Sequence, residues 1–540
     1  METATIRWLR RGAELLALGL GLWQLYAVGQ AMSQRWDYNF DIEWMEGGTL
    51  VSAMRVLEGQ PIHEAPTTEY IPFIYPPLYA WLVALLGQVF PMGYALGRGT
   101  SIACFSLACL ALLYGARQAK ASWPVAIALM GVFAGTYDEA GTFYDLIRVD
   151  SLTIALLGWA VVLGAGAKPW QQVLSGLLLA GAFMAKHNAA AFGLPMILGI
   201  WRLQGRAAAL RFGVASVVPA LAFVGVEQVA TGGHFLAWIL GVPAEHGIVG
   251  ERLISGLGLK LEQRLRLPTR GAQLEFWDAL PVTTTVALLA PAWFRRHSQA
   301  LYWSGISAMG LVICSLMRGH VGGFINVLIP MYWILCLWPV LQAETLEQRW
   351  GTPEAGRIFS RVPAWSVRIL LPLCLAGQLW VGHKDLKRYI PTEANRKAAA
   401  AFIEEIRELP DPILSPYAPY ALVQAGKDPT FSLICLWDID YKGGPYRPFV
   451  RKVERSLAQQ KWAVILAPND KLGYGQKKYY KKERMVKNSP PETIVGWRVR
   501  LNQIWLPLAG VGVGENAAPE EENSAEEEAD GSPEKGAATE

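Results

Sequence analysis

Five stretches of this chain are long and almost free of charge, and they constrain the fold more than any other feature. They cover residues 12–32, 98–115, 212–230, 299–317 and 363–381, and each holds at most one charged side chain. A helix needs roughly 20 apolar residues to cross a bilayer core of about 30 Å. Only 17% of the 540 residues are charged, whereas soluble proteins carry about a quarter. The sequence therefore predicts an α-helical polytopic membrane protein and excludes a soluble enzyme.

The positions of Lys and Arg predict about eleven spans. We place them at residues 12–32, 98–115, 121–136, 151–166, 171–185, 189–201, 212–230, 279–294, 299–317, 325–341 and 363–381. With a cytoplasmic N-terminus, every short inner loop is then basic, as the positive-inside rule requires. Segment 77–90 is short and carries Tyr79 and Trp81, so we expect it to lie on the outer face as an interfacial helix.

We expect an integral multi-pass protein of the inner (plasma) membrane, with a cytoplasmic N-terminus and an extracytoplasmic C-terminal domain. Residues 1–32 lack a small-residue cleavage site after the apolar stretch, so we expect an uncleaved anchor. The six cysteines lie mostly within apolar spans and lack metal-ligand spacing, which is typical of small buried apolar residues. The polytopic pattern gives no indication of a nucleic-acid partner.

The C-terminal part has a soluble pattern. We divide the chain into a membrane module at 1–381, a small extracytoplasmic α/β domain at 382–510 and a disordered acidic tail at 511–540. Within the domain we predict helices at 394–409 and 448–460, strands at 411–415 and 462–467, and a strand pair within 493–507. The basic stretch 477–484 reads as a solvated loop.

Five acidic residues near the spans fall on the predicted outer side. They are Asp41, Glu43, Glu46, Asp145 and Asp150. If residues 43–57 form a helix, Glu43 and Glu46 share one face at its N-terminal end, where the helix dipole stabilises carboxylates. These acids suit catalysis, and the alternative is that they only cap the helix.

Four cationic or titratable side chains accompany the acids on the outer side: Arg148, Lys186, Arg318 and His320. Arg148 has acids on both sides, so an internal ion pair is the alternative to a catalytic role. Lys186 either reaches towards the membrane interface or contacts a lipid phosphate.

The outer loop 231–278 departs from the inner-loop trend. It contains Arg252, Lys260, Arg264, Arg266 and Arg270, and long loops are exempt from the positive-inside rule. The histidines at 234 and 246 have no metal-like spacing, so we assign them to loop structure.

A carboxylate beside cations at a membrane face suits transfer of a sugar from a polyprenyl phosphate. The phosphate is already a good leaving group, so one carboxylate that accepts the proton of the attacking hydroxyl is sufficient. Lys and Arg offset the charge on the departing phosphate. The apolar spans leave room for the prenyl tail.

The motif Glu46-Gly, then Arg55-Val-Leu-Glu-Gly59-Gln-Pro, then Tyr75-Pro-Pro-Leu-Tyr-Ala-Trp-Leu82 resembles the first outer loop of GT-C glycosyltransferases. The branch that it resembles contains the protein O-mannosyltransferases and the aminoarabinose transferases of lipid A (glycosyltransferase families 39 and 83). The resemblance covers roughly residues 1–340 and extends to Lys186 and to Gly322-Gly-Phe-Ile-Asn326. It implies an acidic motif at Glu46, an interfacial helix at 76–90 and a second acidic loop at Arg148-Val-Asp150. Relatives often have an Asp-Glu pair where this chain has Met45-Glu46.

The sequence hypothesis is an inverting membrane glycosyltransferase. Its catalytic residues would be Glu46, Asp41, Glu43 and Asp150, and its donor phosphate would be held by Lys186, Arg148, Arg318 and His320. The acceptor is a lipid, a glycan or a protein. No cofactor or metal site is required, although a divalent metal is compatible with the acids. The alternatives are a transporter or flippase for a lipid-linked or anionic solute, and a non-catalytic scaffold that presents the outer domain.

Overall fold

The computed structural model describes residues 4–250, 252–253, 276, 279–294, 299–349, 364–468, 472–487 and 492–509. Several sequence predictions lie outside these residues. They are the acidic tail at 511–540 and the basic side chains Lys260, Arg264, Arg266, Arg270, Arg295, Arg296, Arg357 and Arg361.

The chain forms two compact units. The first, which we call the helical unit, comprises Met1–Asp37, Ser52–Glu64 and Phe73–Ile390. The second, which we call the α/β unit, comprises Tyr38–Val51, Ala65–Pro72 and Pro391–Glu540. Two pieces of the loop after the first helix therefore belong to the same unit as the C-terminal residues.

Long helices account for most of the helical unit. The first part of the chain contains α1 (Ala4–Ser33), α2 (Glu46–Leu57), α3 (Leu78–Gly87), α4 (Tyr94–Gln118), α5 (Trp123–Gly135), α6 (Asp150–Gly164), α7 (Pro169–Ala185), α8 (Gly193–Gln204) and α9 (Arg206–Ala230). Further helices follow at Pro281–Phe294, Ala300–Gly319, Ile329–Arg349 and Ala364–Val381. Short helical turns lie at His187–Phe192, His234–Leu236, Ala237–Gly241, Val242–Ala244, Ile325–Leu328 and Lys387–Tyr389.

Each of the eleven predicted spans coincides with a helix. Within the described residues, five are long and apolar enough to cross a membrane, namely Ala4–Ser33, Tyr94–Gln118, Arg206–Ala230, Leu301–Gly319 and Ile325–Glu344. The predicted class, a helical membrane protein with a small C-terminal sheet, is confirmed. The number of spans and their orientation stay predictions.

The segment that we expected to lie on the membrane surface forms α3, a helix of 10 residues. At 1.5 Å per residue it is about 15 Å long, half the thickness of the hydrocarbon core. Its length fits an interfacial position and not a span.

Small residues let α1 and α5 approach closely. A Cβ atom added to Gly131 would lie 2.5 Å from the Cα atom of Gly21, and one added to Gly21 would lie 2.8 Å from the Cα atom of Ala128. The hydrophobic effect does not drive helices together inside a membrane, because lipid tails are as apolar as the side chains. Small residues allow close backbone packing, and this packing stabilises the association instead. This contact anchors α1 in the helical unit.

The α/β unit is built on a four-stranded sheet in the order β1-β2-β4-β3. Its strands are β1 (Ile413–Leu414), β2 (Val464–Ala467), β3 (Tyr480–Met485) and β4 (Gln503–Pro507). The pair β1–β2 is parallel, and β2–β4 and β3–β4 are antiparallel. The helices of this unit are Glu393–Glu408, Pro419–Gln424, Leu433–Ile439, Arg447–Ala458 and Gln476–Tyr479. The predicted helices at 394–409 and 448–460 and the predicted strands at 411–415 and 462–467 are confirmed.

The prediction of a strand pair within 493–507 was wrong. Only Gln503–Pro507 is a strand, and its antiparallel partner is β3, which lies largely in the stretch 477–484 that we assigned to a solvated loop. Within β3, Tyr480 is buried while Lys481, Lys482 and Glu483 are exposed. Charged side chains are typical of an edge strand because they discourage further pairing, and they hid the strand pattern in the sequence.

Candidate functional site

The predicted site residues Lys186 and Asp150 meet in the helical unit. The Nζ atom of Lys186 donates a hydrogen bond of 2.8 Å to Oδ1 of Asp150. The same Oδ1 atom accepts a 3.0 Å hydrogen bond from Nδ2 of Asn326. All three residues are buried, with 8%, 4% and 4% of their surfaces exposed. The ammonium group of Lys186, the carboxylate of Asp150 and the amide of Asn326 thus form one buried polar cluster.

The ends of two neighbouring helices create this pair. Asp150 is the first residue of α6, and Lys186 directly follows the last residue of α7. Because α6 and α7 pack against each other in opposite directions, the start of one lies beside the end of the other. A helix N-terminus stabilises a carboxylate and a C-terminus stabilises a cation. The helix ends therefore stabilise the charged forms of Asp150 and Lys186 independently of the ion pair between them.

Arg148 and Tyr75 lie next to the pair. The Nη2 atom of Arg148 donates a 3.3 Å hydrogen bond to the hydroxyl of Tyr75. The ring centre of Tyr75 is 5.7 Å from Cζ of Arg148 and 6.0 Å from Nζ of Lys186. Tyr75 thus holds two cations over one ring. Such cation–π contacts stabilise charge where water is scarce.

The environment keeps Lys186 positively charged. Burial alone would lower the pKa of this lysine, but the Asp150 carboxylate and Tyr75 outweigh burial and raise the pKa above its ordinary value. Asp150 retains an acceptor as well, because its Oδ2 atom has no hydrogen-bond partner among the described residues. The pair can therefore interact with a further polar group.

The other two predicted phosphate contacts lie at the end of the helix Ala300–Gly319, with Arg318 in its last turn and His320 directly after it. The Nη1 atom of Arg318 donates a 2.9 Å hydrogen bond to the carbonyl of Gly323. His320 forms an isolated antiparallel bridge with Ile248, and its ring centre lies 4.9 Å from that of His246. The structure thus gives both residues contacts that support the turn, and their role in phosphate binding stays a prediction.

Asp145 has a structural partner that the sequence did not indicate. Nε of Arg35 donates a 2.7 Å hydrogen bond to Oδ2 of Asp145, and Nη2 of Arg35 contacts the other oxygen. The hydroxyl of Tyr137 donates to the same carboxylate at 2.9 Å. Both members of the ion pair are fully buried. Asp145 is therefore tied to the end of α1.

The three remaining acids, Asp41, Glu43 and Glu46, lie in the α/β unit, and we call residues 41–46 the carboxylate loop. The predicted helix start at Glu43 was wrong, because α2 begins at Glu46. Oδ1 of Asp41 accepts a 2.8 Å hydrogen bond from the N–H of Gly47 and so caps α2. The helix therefore begins three residues later in the chain than the apolar stripe suggested.

Glu46, the first residue of α2, binds back to the backbone of the carboxylate loop. Its Oε2 atom accepts hydrogen bonds from the backbone N–H groups of Ile42 at 2.7 Å and Glu43 at 3.3 Å. Oε2 of Glu43 accepts a 3.3 Å bond from the N–H of Met45. Asp41, Glu43 and Glu46 are all buried. Backbone donors thus orient all three carboxylates.

An apolar groove of about 510 Å³ runs between α1, α4 and α5. Its lining includes Val28, Gly29, Met32, Ile102, Cys109 and Met130. Gly29 faces open space, since a Cβ atom added there meets nothing within 4 Å. The groove lies along the half of α1 that leads to the carboxylate loop. It has the apolar character that a lipid chain requires.

Three functional candidates escaped the sequence analysis: Arg35, Tyr75 and Asn326. Tyr75 precedes the Pro-Pro pair of the first loop, and Asn326 follows the glycine pair 322–323. We quoted both motifs but assigned no role to these two side chains. Arg35 carried no signal, because its partner is 110 residues away. Among the residues that the structure describes, no three His, Cys, Asp or Glu side chains are grouped to hold a metal ion.

Comparison with solved structures shows the fold. The structure is similar to ArnT from Cupriavidus metallidurans bound to undecaprenyl phosphate, with a TM-score of 0.53 and 12% identity over 91% of this chain and 99% of that one. Against the apo state of the same protein the TM-score is 0.54, with 14% identity and the same coverage. An oligosaccharyltransferase from Archaeoglobus fulgidus matches with a TM-score of 0.42 and 10% identity over 76% of this chain and 58% of its own, a likeness that supports no further conclusion. No family model and no curated protein matches the sequence. The predicted fold is confirmed, since the chain shares the architecture of ArnT over 91% of its length.

Proposed function

We propose that this protein transfers a sugar from a polyprenyl-phosphate donor to an acceptor hydroxyl at the outer face of the membrane, with inversion at the anomeric carbon. The observation that carries the proposal is the buried Lys186–Asp150 pair, with Arg148 and Tyr75 beside it. Two cations in one enclosed place suit an anionic group that has left water. The fold supports the same conclusion, since the solved structure that it resembles holds undecaprenyl phosphate.

The donor phosphate would interact with Lys186 and Arg148. Lys186 supplies a compact charge and Arg148 a planar group with several donors, a combination that suits phosphate oxygens. As the bond between the anomeric carbon and the phosphate oxygen breaks, negative charge grows on the leaving polyprenyl phosphate. A cation that is already oriented stabilises this charge without reorganising.

The acceptor hydroxyl would lose its proton to an acid of the carboxylate loop. We assign the base to Glu46 or Asp41, with Glu43 as a supporting acid. The hydroxyl oxygen attacks the anomeric carbon on the side opposite the phosphate, and its proton passes to the carboxylate. Glu46 and Asp41 each use an oxygen to hold backbone N–H groups, and this fixes the orientation of the carboxylate.

The experiment measures sugar release from radiolabelled polyprenyl-phosphate monosaccharides by the purified protein in lipid nanodiscs. Glu46→Gln, Asp41→Asn and Lys186→Gln are compared with wild type. The first two variants keep an oxygen that can accept the backbone hydrogen bonds of the loop, so they remove charge with little change in shape. We expect a loss of about 100-fold or more for Lys186→Gln and for whichever acid is the base.

Lys168→Gln is the matched control. Lys168 lies at the opposite end of α7 and is exposed, so its charge should not affect turnover. If wild type releases no sugar from any donor but moves donor across sealed vesicles, the protein is a transporter or flippase. If sugar release is unaffected in every acid and lysine variant, the assignment of the residues is wrong.

A further inference from the structure

Four aromatic side chains of the α/β unit form one cluster, which we call the aromatic platform: Trp44, Tyr417, Trp437 and Trp497. The ring centres of Trp44 and Trp497 are 5.1 Å apart, and those of Trp437 and Trp497 are 5.3 Å apart. Trp44 also contacts Trp437 at 5.7 Å, and Tyr417 contacts Trp497 at 5.7 Å. Trp44 and Tyr417 are buried, whereas Trp437 and Trp497 are partly exposed. The platform therefore presents two indole rings to its surroundings.

The indole N–H groups of the platform are the next feature that bears on what it binds. Within the described part of the chain, no residue accepts a hydrogen bond from the indole nitrogen of Trp44, Trp437 or Trp497. Other tryptophans do donate to protein acceptors, namely Trp159, Trp238, Trp303, Trp333, Trp338 and Trp505. A tryptophan that serves only to fill a core normally finds such a partner. The partly exposed rings of Trp437 and Trp497 thus offer two donors to something outside the chain.

A carboxylate and a hydroxyl stand near these rings. Asp440 follows the helix that carries Trp437, and its Oδ2 atom accepts a 3.4 Å hydrogen bond from the hydroxyl of Tyr474. Burial, and then the negative charge of Asp440, raises the pKa of Tyr474, so this hydroxyl keeps its proton. The nearby charges that face Tyr474 are those of Asp440 and Glu454, and Tyr417 of the platform also lies near it.

The backbone around Tyr474 is held in a costly conformation. Gly473, Tyr474 and Gly475 have φ angles of 79°, 52° and 77°, which places a tyrosine in the left-handed region between two glycines. A non-glycine residue there costs roughly 1–3 kcal/mol. Such strain persists where the surrounding structure fixes the position of a side chain. Here the strained backbone places the hydroxyl of Tyr474 within hydrogen-bond distance of Asp440.

The platform is joined to the carboxylate loop within the same unit. The carbonyl of Ile42 accepts hydrogen bonds from the N–H groups of Ile494 and Val495 at 2.8 and 3.1 Å. At Gly496, which has a φ angle of 68°, an added Cβ atom would lie 3.2 Å from Cγ of Glu43. Trp497 is the next residue, and Trp44 stands between the loop acids in sequence. A ligand on the platform is therefore presented beside those acids.

We propose that the aromatic platform binds a pyranose ring of a glycan, and that the acceptor of the proposed transfer is therefore a glycan hydroxyl. The statement about the acceptor rests on the proposed function, whereas the statement about sugar binding does not. A pyranose has a flat C–H face that packs on an indole ring, and its rim of hydroxyls can bond to the indole N–H groups and to Asp440. The apolar ring faces and the polar groups of the platform then each have a partner on the same sugar.

Other occupants fit the same residues less well. A lipid chain would cover the rings but leave the indole N–H groups of Trp437 and Trp497 without acceptors, which is costly once water is excluded. A neutral sugar ring satisfies the rings, the donors and the acceptor together.

Binding can be tested without turnover. The probes are maltose, cellobiose, lactose and N,N′-diacetylchitobiose, and saturation-transfer NMR measures their binding to the full chain in nanodiscs. We expect at least one disaccharide to bind, and Trp437→Ala and Trp497→Ala to weaken its binding by about tenfold. Trp497→Phe keeps a flat ring and should retain most of the affinity. Phe449→Ala is the control, since Phe449 is a partly buried aromatic of the same unit outside the platform.

Each result decides one of the two claims. Absence of binding by every disaccharide, or equal binding by wild type and both alanine variants, overturns the sugar site. Sugar release from the donor by the same samples, measured with water as acceptor, tests the proposed function separately. A protein that binds the disaccharide but never uses a donor would keep the sugar site and overturn the transferase. If the alanine variants lose only retention in lipid, the platform is a membrane anchor and the inference is wrong.

Discussion

The contact between Lys186 and Asp150 has two possible roles, to stabilise the fold and to bind the donor phosphate. Single variants cannot separate these two roles. Removing one partner of a buried ion pair leaves an uncompensated charge and typically costs 3–5 kcal/mol. Loss of turnover in such a variant could therefore reflect unfolding. A neutral pair of similar shape removes this ambiguity, because Gln and Asn can replace the ion pair with a hydrogen bond.

We predict that Lys186→Gln and Asp150→Asn each lower the melting temperature, and that the double variant recovers most of the loss. Donor turnover should stay reduced by about 100-fold in the double variant, because the charge that faces the phosphate is still absent. Differential scanning fluorimetry and sugar release from the donor measure the two effects. Recovery of turnover along with stability would show that the pair is only structural.

His63 makes stability depend on pH. Burial lowers its pKa from 6.5 to about 4, while its Nε2 atom bonds to the carbonyl of Tyr75 at 3.0 Å. Below pH 6.5 the unfolded chain binds a proton that the folded chain refuses until about pH 4. The stability that neutral His63 contributes is therefore complete above pH 6.5 and is lost as the pH falls towards 4. The difference corresponds to roughly 3 kcal/mol.

We predict that His63→Gln reduces this loss, since glutamine can still donate to the carbonyl of Tyr75 and does not titrate. The melting temperature of wild type and variant, measured between pH 7.5 and 4 (an interval chosen to span both values), provides the test. Part of the slope should remain, because burial together with Lys186 and His320 also lowers the pKa of His187 to about 4. Identical slopes in the two proteins would contradict the assignment.

At the scale of elements, the end of α1 is joined to the segment between α5 and α6 by the buried Arg35–Asp145 pair. Asp145→Ala should lower the free energy of unfolding by about 3–5 kcal/mol, because Arg35 is left buried without its counter-ion. The control is Arg388→Gln, which removes an ion pair with Asp138 whose arginine side chain is 65% exposed. An exposed pair contributes no more than about 1 kcal/mol. Equal effects of the two variants on chemical denaturation would refute the distinction.

The groove beside α1 offers a second prediction at this scale. Gly29 lines it and faces open space, so Gly29→Leu should fill the groove without disturbing the helix. If the prenyl tail of the donor lies there, the KM for donor should rise by roughly tenfold with little change in kcat, because apolar contact contributes to binding and not to the reacting centre.

Gly12→Leu is the matched control. Gly12 lines a separate groove near the start of α1 and also meets nothing within 4 Å. Unchanged kinetics in both variants would exclude the α1 groove as the site of the tail. A rise in KM with Gly12→Leu alone would place the tail at the opposite end of the helix.

At the scale of the whole molecule, the basic inner loops predict the orientation in the membrane. We predict that Lys168→Cys is protected from a membrane-impermeant maleimide in intact cells, and that Lys384→Cys is labelled. Both lysines are exposed. The native cysteines give little background, since all but Cys374 are buried. Labelling of Lys168→Cys instead would mean that the outer and inner faces are exchanged.

Helix positions could be predicted from the sequence because a bilayer selects on length and charge, and both are local properties. The eleven apolar segments and the short apolar segment before α4 are helices for that reason. The sequence also placed Asp150 and Lys186 at helix ends, since charged groups collect where spans stop. By contrast, β3 was missed because its charged side chains obscure the alternation that marks a strand.

Contacts between distant residues were decided only by the tertiary structure. Arg35 and Asp145 are 110 residues apart, and Asn326 reaches Asp150 across 176 residues, so no local pattern could pair them. The same holds for the docking of Ile494 and Val495 on Ile42, which makes the first loop part of the C-terminal unit. The sequence by itself determined which segments form apolar helices and where charge gathers, because these depend on the properties of each residue and its near neighbours in the chain. Which charges meet depends on how the helices pack, and that packing is a property of the whole chain.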